Sequence, residues 1–193
     1  MSADRPALAR PNHDRGVRPV MRAVLLCLAL FAAACTRTET ERCDIEATHD
    51  LAFSGAAATD QVSARAEGPS CDKAIGVYVI RDADGFPLWS WSAPLSHRFG
   101  VVFEADGREH MQAFLQQWAQ ASLYTTQSAP AYDDLAPGQS TLDQLTYDDI
   151  RARDLPMLCH FSGTARQTCV FWEPAAGGAG HFLDRDVVEE FSQ

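Results

Sequence analysis

The chain has 193 residues, room for one ordinary domain. With 46% hydrophobic and 22% charged residues, 12 Gly and 10 Pro, its composition is globular and excludes collagen-like, low-complexity and wholly disordered chains. A formal charge of −10 argues against nucleic acid as a partner, since phosphate binding draws on clustered Lys and Arg and the only lysine is Lys73.

Residues 1–20 are polar, basic and punctuated by proline, with no apolar period, and read as an upstream extension or a start assigned ahead of Met21. From there, Arg22 precedes an unbroken apolar run from Ala23 to Ala34. Twelve residues rise about 18 Å as a helix, too little for a hydrocarbon core about 30 Å thick, so residues 21–34 read as a signal peptide and not as a membrane span. The run ends Ala32-Ala33-Ala34-Cys35, small residues before a cysteine.

This order of charge, apolar run, small residues and cysteine resembles the lipobox signal of bacterial lipoproteins. Ala32 stands where leucine is usual, with Leu30 close by. The resemblance implies that Cys35 is lipidated, carries palmitate and becomes the mature N-terminus. It also implies, through Thr36 in place of the aspartate that favours inner-membrane retention, an outer-membrane address facing the periplasm. Removing residues 1–34, with their five Arg and two Asp, takes the formal charge to −13. A surface that acidic repels anionic headgroups, so the acyl chain and not a basic patch would hold the protein on the membrane. Residues 35–42 form the tether. Thr36 to Arg42 span about 25 Å at most when extended, which keeps the domain of residues 43–193 near the bilayer.

Four cysteines lie in that domain: Cys43, Cys71, Cys159 and Cys169. Their spacings lack the paired knuckles of a zinc site, and an even count in an oxidising compartment predicts two disulfides with three possible pairings. Hairpin register selects among them. A Cys159–Cys169 pair centres a hairpin on residue 164, inside Gly163-Thr-Ala-Arg166, the turn-like stretch between two apolar runs; Cys43 and Cys71 are then left to each other.

In chain order, Ile45, Ala47, Leu51 and Phe53 alternate, as do Val62, Ala64 and Ala66, predicting two half-buried strands. Ala74–Ile80 is apolar on both faces and predicts a covered central strand, returning through Asp82-Ala-Asp-Gly85 into Phe86–Ser92. Pro87 has to lie at that strand's start. Phe99–Phe103 predicts a short strand. Asp106-Gly-Arg-Glu109 reads as a capping box opening a helix whose stripe is Met111, Phe114, Leu115 and Trp118. Residues 125–139 form a long loop. Thr146-Tyr-Asp-Asp149 opens a second short helix, residues 157–161 and 167–172 pair as a hairpin, and Asp184 is placed to cap a last helical turn. The fold class expected is α+β: an antiparallel sheet built from hairpins, one main amphipathic helix packed on a face, and two disulfides.

Candidate chemistry is sparse. Asp82-Ala-Asp-Gly85 starts like a calcium loop, but Ala93 stands where an EF-hand needs its glutamate, and a turn explains the same residues. No His-x-His or His-Glu-x-x-His pair provides a metal site, Gly177-Gly-Ala-Gly180 lacks the lysine of a phosphate loop, and no Gly-x-Ser-x-Gly elbow occurs. Asp133-Asp134 and Asp148-Asp149 read as solvated charges. The nearest approach to an acid–base cluster is His181 with Asp184 and Asp186, which a solvated C-terminal segment explains equally well; a small hydrolase using the His160, His181, Asp184 region is a third reading. Trp89 and Trp91 share one face of a strand, either as core or, if the helix covers the opposite face, as a platform for a ligand. The function expected is a non-catalytic binding or scaffolding role without cofactor or metal, the membrane reached through the lipid and the ligand or protein partner unnamed. The alternative is an inhibitor of a cell-wall-degrading enzyme, whose basic surface an acidic protein would steer.

Overall fold

The computed structural model describes residues 42–100, 103 and 107–187. Segments 1–20 and 21–34, and the tether with Cys35 as far as residue 41, lie outside the described residues.

Two four-stranded antiparallel sheets carry the domain, each a meander in chain order. The first holds β1 (Cys43–Leu51), β2 (Asp60–Gly68), β3 (Ile75–Arg81) and β4 (Pro87–Pro94); the second holds β5 (Ser122–Thr125), β6 (Pro156–Gly163), β7 (Arg166–Glu173) and β8 (Gly178–Asp186). Helices α1 (Leu95–Phe99) and α2 (Arg108–Ala119) link the sheets, and α3 (Gln144–Ala152) precedes β6.

The period-2 pattern decides which face of the first sheet is buried. Register aligns Ala47 with Ala64 and Tyr78 with Trp91 in one row, and Val62, Ile80 and Trp89 in the next, all on the inner face. Helix α2 lies over β1 and β2, where Ala47, Ala64 and Ala66 leave room for a close backbone approach. Its Met111, Leu115 and Trp118 are buried, with Phe114 half-buried beside them. The Trp118 ring lies 5.3 Å from Tyr78 and 5.5 Å from Trp91, centroid to centroid. Gly76 makes this possible: a Cβ there would run into the Leu95 side chain and stand 3.2 Å from the Trp118 ring.

One face of the second sheet joins the same core through Leu158 and Val170, with Trp172 and Ala179 packed against it. The other face carries Met157, Cys159, Cys169 and Phe171, which form a second core with Tyr147 and Ile150 of α3. Tyr147 stacks on Phe182 at 4.4 Å.

Both disulfides pair as the register predicts, Cys43 with Cys71 and Cys159 with Cys169. Cys159 stands opposite Cys169 across β6 and β7, His160 opposite Thr168, and Phe161 opposite Gln167.

Several expectations are corrected. One sheet with one helix on a face becomes two sheets, mostly strand, in which α2 covers only part of the first sheet; β6–β8 cover the rest and α3 covers the far side of the second. Apolar alternation states that a face is buried and leaves open what buries it. Phe99 ends a helix and not a strand, because Leu95 and Phe99 point four residues apart into the core. The first turn of α2 begins at Gly107–Arg108 with no side-chain cap, and Asp106 lies outside the described residues. The cap of α3 is Asp143, three residues ahead of Thr146, whose N–H and hydroxyl both donate to its carboxylate. The loop at 125–139 starts within β5 and contains two 3₁₀ turns. Asp184 lies inside β8, paired with Thr168, and caps nothing.

Candidate functional site

Residues from three parts of the chain meet beside α2. The helix turns His110, Ala113, Phe114 and Gln117 outward, a stripe at i, i+3, i+4 and i+7 next to its buried one. Facing them across a cleft are Phe161, Gly163 and Thr164 at the β6–β7 turn. Phe99, Phe103 and Trp118 make the floor.

Ring packing holds that floor. Phe114 meets Phe99 and Phe103 edge-to-face, both at 5.0 Å, and Phe99 meets Trp118 at 5.8 Å. The Trp118 indole N–H donates to the Phe161 carbonyl at 2.8 Å, which satisfies a buried donor and ties the end of α2 to β6. The turn is pinned to α1, since the Arg98 carbonyl accepts from the Thr164 N–H at 3.2 Å and its hydroxyl at 3.4 Å. Gly163 permits that approach, because a Cβ there would sit 3.3 Å from the same carbonyl. The cleft encloses about 440 Å³. No Asp, Glu, Lys or Arg is among the described residues that line it.

The acid–base candidates are placed differently. His160 is buried between the sheets, stacked on Tyr78 at 4.3 Å. Its Nδ1 lies 3.0 Å from the Phe161 carbonyl, which can only accept, so Nδ1 carries the proton; Nε2 then accepts from the Trp89 indole N–H at 3.4 Å. Burial pushes the imidazole down to about 4, against the hydrogen bond to Phe161 and the charge of Asp184, which favour the cation. His160 is thus a neutral core residue with both nitrogens engaged. Asp184 is half-buried; burial raises its pKa, but hydrogen bonds from Thr168 (2.6 Å) and Arg166 (3.0 Å) outweigh that and hold it below the usual carboxylate range. His181 stands 3.5 Å from Asp184 on β8. Strand register therefore aligns His160, Thr168 and Asp184 across the second sheet, the imidazole turned into the core.

Trp89 and Trp91 share the inner face of β4, the same face that α2 covers. Both are half-buried; Trp91 packs edge-on against Trp118 and His160, and Trp89 donates to His160. The condition for a ligand platform, a helix on the opposite face, is not met, and the pair packs as the rim of the core. Asp82 accepts from the N–H groups of Asp84 (3.0 Å) and Phe86 (2.8 Å), fixing the β3–β4 turn. Among the described residues no group of three or more His, Cys, Asp or Glu could hold a metal ion. No described helix is long and apolar enough to cross a membrane.

The cleft itself escapes the sequence pattern. Phe114 and Trp118 read as core stripe and Gln117 as solvated face, while Phe161 and Thr164 read as strand and turn. The available signal is an excess of aromatics: Phe99, Phe103, Phe114 and Trp118 fall within twenty residues, more than a twelve-residue helix needs to seal itself.

Compared with protein-family models, curated proteins and solved structures, the chain shows no significant match.

Proposed function

We propose that the protein is a periplasm-facing lipoprotein, anchored through Cys35 at the outer membrane, whose disulfide-stapled domain binds or scaffolds without catalysing a reaction. The observation that carries the reading is the use of cysteine. All four cysteines of the described domain are joined in two disulfides, a state that fits an oxidising compartment; of the remaining two, Cys27 lies inside the apolar run and Cys35, at its end, is the thiol placed for the lipid. The structural employment of His160 also favours binding over a hydrolytic site. Intact mass of membrane-extracted protein tests the reading: an acylated N-terminus at Cys35 is expected, and Cys35→Ser gives an unprocessed precursor. A mature N-terminus elsewhere without acyl mass overturns it.

A second reading, inhibition of a basic cell-wall-degrading enzyme, is supported by the acidic residues exposed on the outer face of the first sheet. There Asp44, Glu46 and Asp50 of β1 and Glu67 of β2 are exposed, Arg65 of β2 pairs with Asp44 at 2.8 Å, and Ile75, 49% exposed, follows on β3. A basic lysozyme assayed with and without the protein tests this reading: salt-sensitive inhibition is expected, and undiminished activity at equimolar protein removes it.

A further inference from the structure

We infer that the cleft between α2 and the β6–β7 turn is a binding site for a neutral, mainly apolar small molecule built around one or two rings. The inference rests on the binding reading above and names its ligand class.

Shape comes first. A volume of about 440 Å³ falls within the range of about 300–1,000 Å³ usual for small-molecule sites. The floor is made before any ligand arrives, because Phe99, Phe103 and Trp118 are buried and Trp118 is fixed by its hydrogen bond to Phe161. The helix supplies an aromatic wall, Phe114, and the β6–β7 turn supplies the facing wall through Phe161, Gly163 and Thr164.

Charge then selects the ligand. The domain lies in a chain whose residues 35–193 carry a formal charge of −13, a field that repels anions. Among the described lining residues no Arg or Lys offers an anion a partner, and no carboxylate offers a cation one. None of the described lining residues returns the hydration that an ion would lose on entering. A neutral molecule loses nothing by this.

Polar groups at the rim supply orientation. His110 and Gln117 are exposed one above the other on α2, and their side chains make no hydrogen bond or ion pair with other described residues. Across the cleft the Thr164 hydroxyl donates to Arg98 and keeps its lone pairs free to accept. A ring system seated against Phe114 and over the aromatic floor would therefore meet donors and acceptors at its edge. This is the pattern of a site that binds an apolar body and reads one or two polar substituents.

Full-length protein labelled with ¹⁵N at tryptophan gives four indole signals, one per Trp, of which the Trp118 N–H reports from the cleft floor. Titration with 2-naphthol, neutral at pH 7, is expected to shift the Trp118 signal saturably. The Trp172 signal, from a ring packed on Phe53, should stay in place. Ala113→Phe, at an exposed helical position, should fill the cleft and weaken the response at least tenfold with the fold intact. 1-Naphthoate and 1-naphthylmethylammonium should bind at least tenfold more weakly than naphthol. An unmoved Trp118 signal overturns the site, and tighter binding of either ion overturns the neutral class. A response to di-N-acetylchitobiose with none to naphthol replaces the apolar ligand by a sugar. A Trp118 shift on protein dilution alone assigns the cleft to a second copy of the chain. None of these outcomes touches the anchor, which acyl mass reads separately.

Discussion

Two buried aromatic residues bind the sheets together and carry opposite polar fates. His160 is neutral because both nitrogens are committed and its burial disfavours the cation. Its pKa is about 6.5 in the unfolded chain and about 4 in the folded one, so the unfolded state binds the proton more readily. The stability this residue contributes is complete above pH 6.5 and falls away as pH drops toward 4, by roughly 3 kcal/mol over that window. Urea titrations at pH 7, 5.5 and 4.5 should show the midpoint falling, and His160→Gln should flatten that slope while lowering the midpoint at pH 7. An equal slope in the variant would assign the acid sensitivity to other groups. Tyr78, stacked on the same imidazole, is buried with a hydroxyl that finds no protein partner among the described residues. Burial raises its pKa above the usual tyrosine value. Removing an unpaired buried hydroxyl while keeping the ring gives back its desolvation cost, so Tyr78→Phe should leave stability unchanged or raise it by about 1–3 kcal/mol in urea unfolding.

At the scale of elements, α2 is the piece on which core and cleft both depend. Trp118 touches Tyr78, Trp91, Phe99 and Phe114, and its N–H holds Phe161. Trp118→Ala should cost about 3–5 kcal/mol in urea unfolding, the range for a buried large aromatic. An unchanged midpoint would mean that the helix face is not packed. The register of the β6–β7 hairpin was legible in the sequence because turn chemistry at Gly163–Arg166 and a pair of cysteines fix it locally. The buried stripe of α2 was legible for the same reason, a period carried by adjacent residues. Which surface buries a stripe is settled by segments fifty residues away, so the partition into two sheets and the division of cover among α2, β6–β8 and α3 had no local signature. The cap of α3 was misplaced by three residues because Asp143 and Thr146 are both competent cap residues and only the backbone geometry chooses. The cleft was illegible for a further reason: its residues lie at 99–118 and 161–164, and no spacing rule connects them.

Across the whole molecule, each of the two cores holds one disulfide, and the two bridges have different leverage. Cys159 and Cys169 are ten residues apart and already opposed across a two-strand ladder, so their bridge restricts a short loop. Cys43 and Cys71 are 28 residues apart and join the start of β1 to the 3₁₀ turn that leads into β3. They close the whole β1–β2 hairpin. In the chain-entropy account the unfolded state loses freedom with the logarithm of loop length, which gives about 3.6 kcal/mol for the longer loop and about 2.8 kcal/mol for the shorter. The two bridges also differ in what they hold. β1 is an edge strand whose inner residues Ile45 and Ala47 pack in the same core as α2, so releasing Cys43 loosens the strand against which the helix leans. Ser at Cys43 and Cys71 together should therefore lower the urea midpoint more than Ser at Cys159 and Cys169 together. Far-ultraviolet and tryptophan signals should still report one transition in each variant, because Trp89, Trp91 and Trp118 all contact the ring pair that joins the sheets. A larger loss from the Cys159–Cys169 pair would place the dominant constraint in the second sheet, and separated transitions would show that the two sheets unfold as independent bodies.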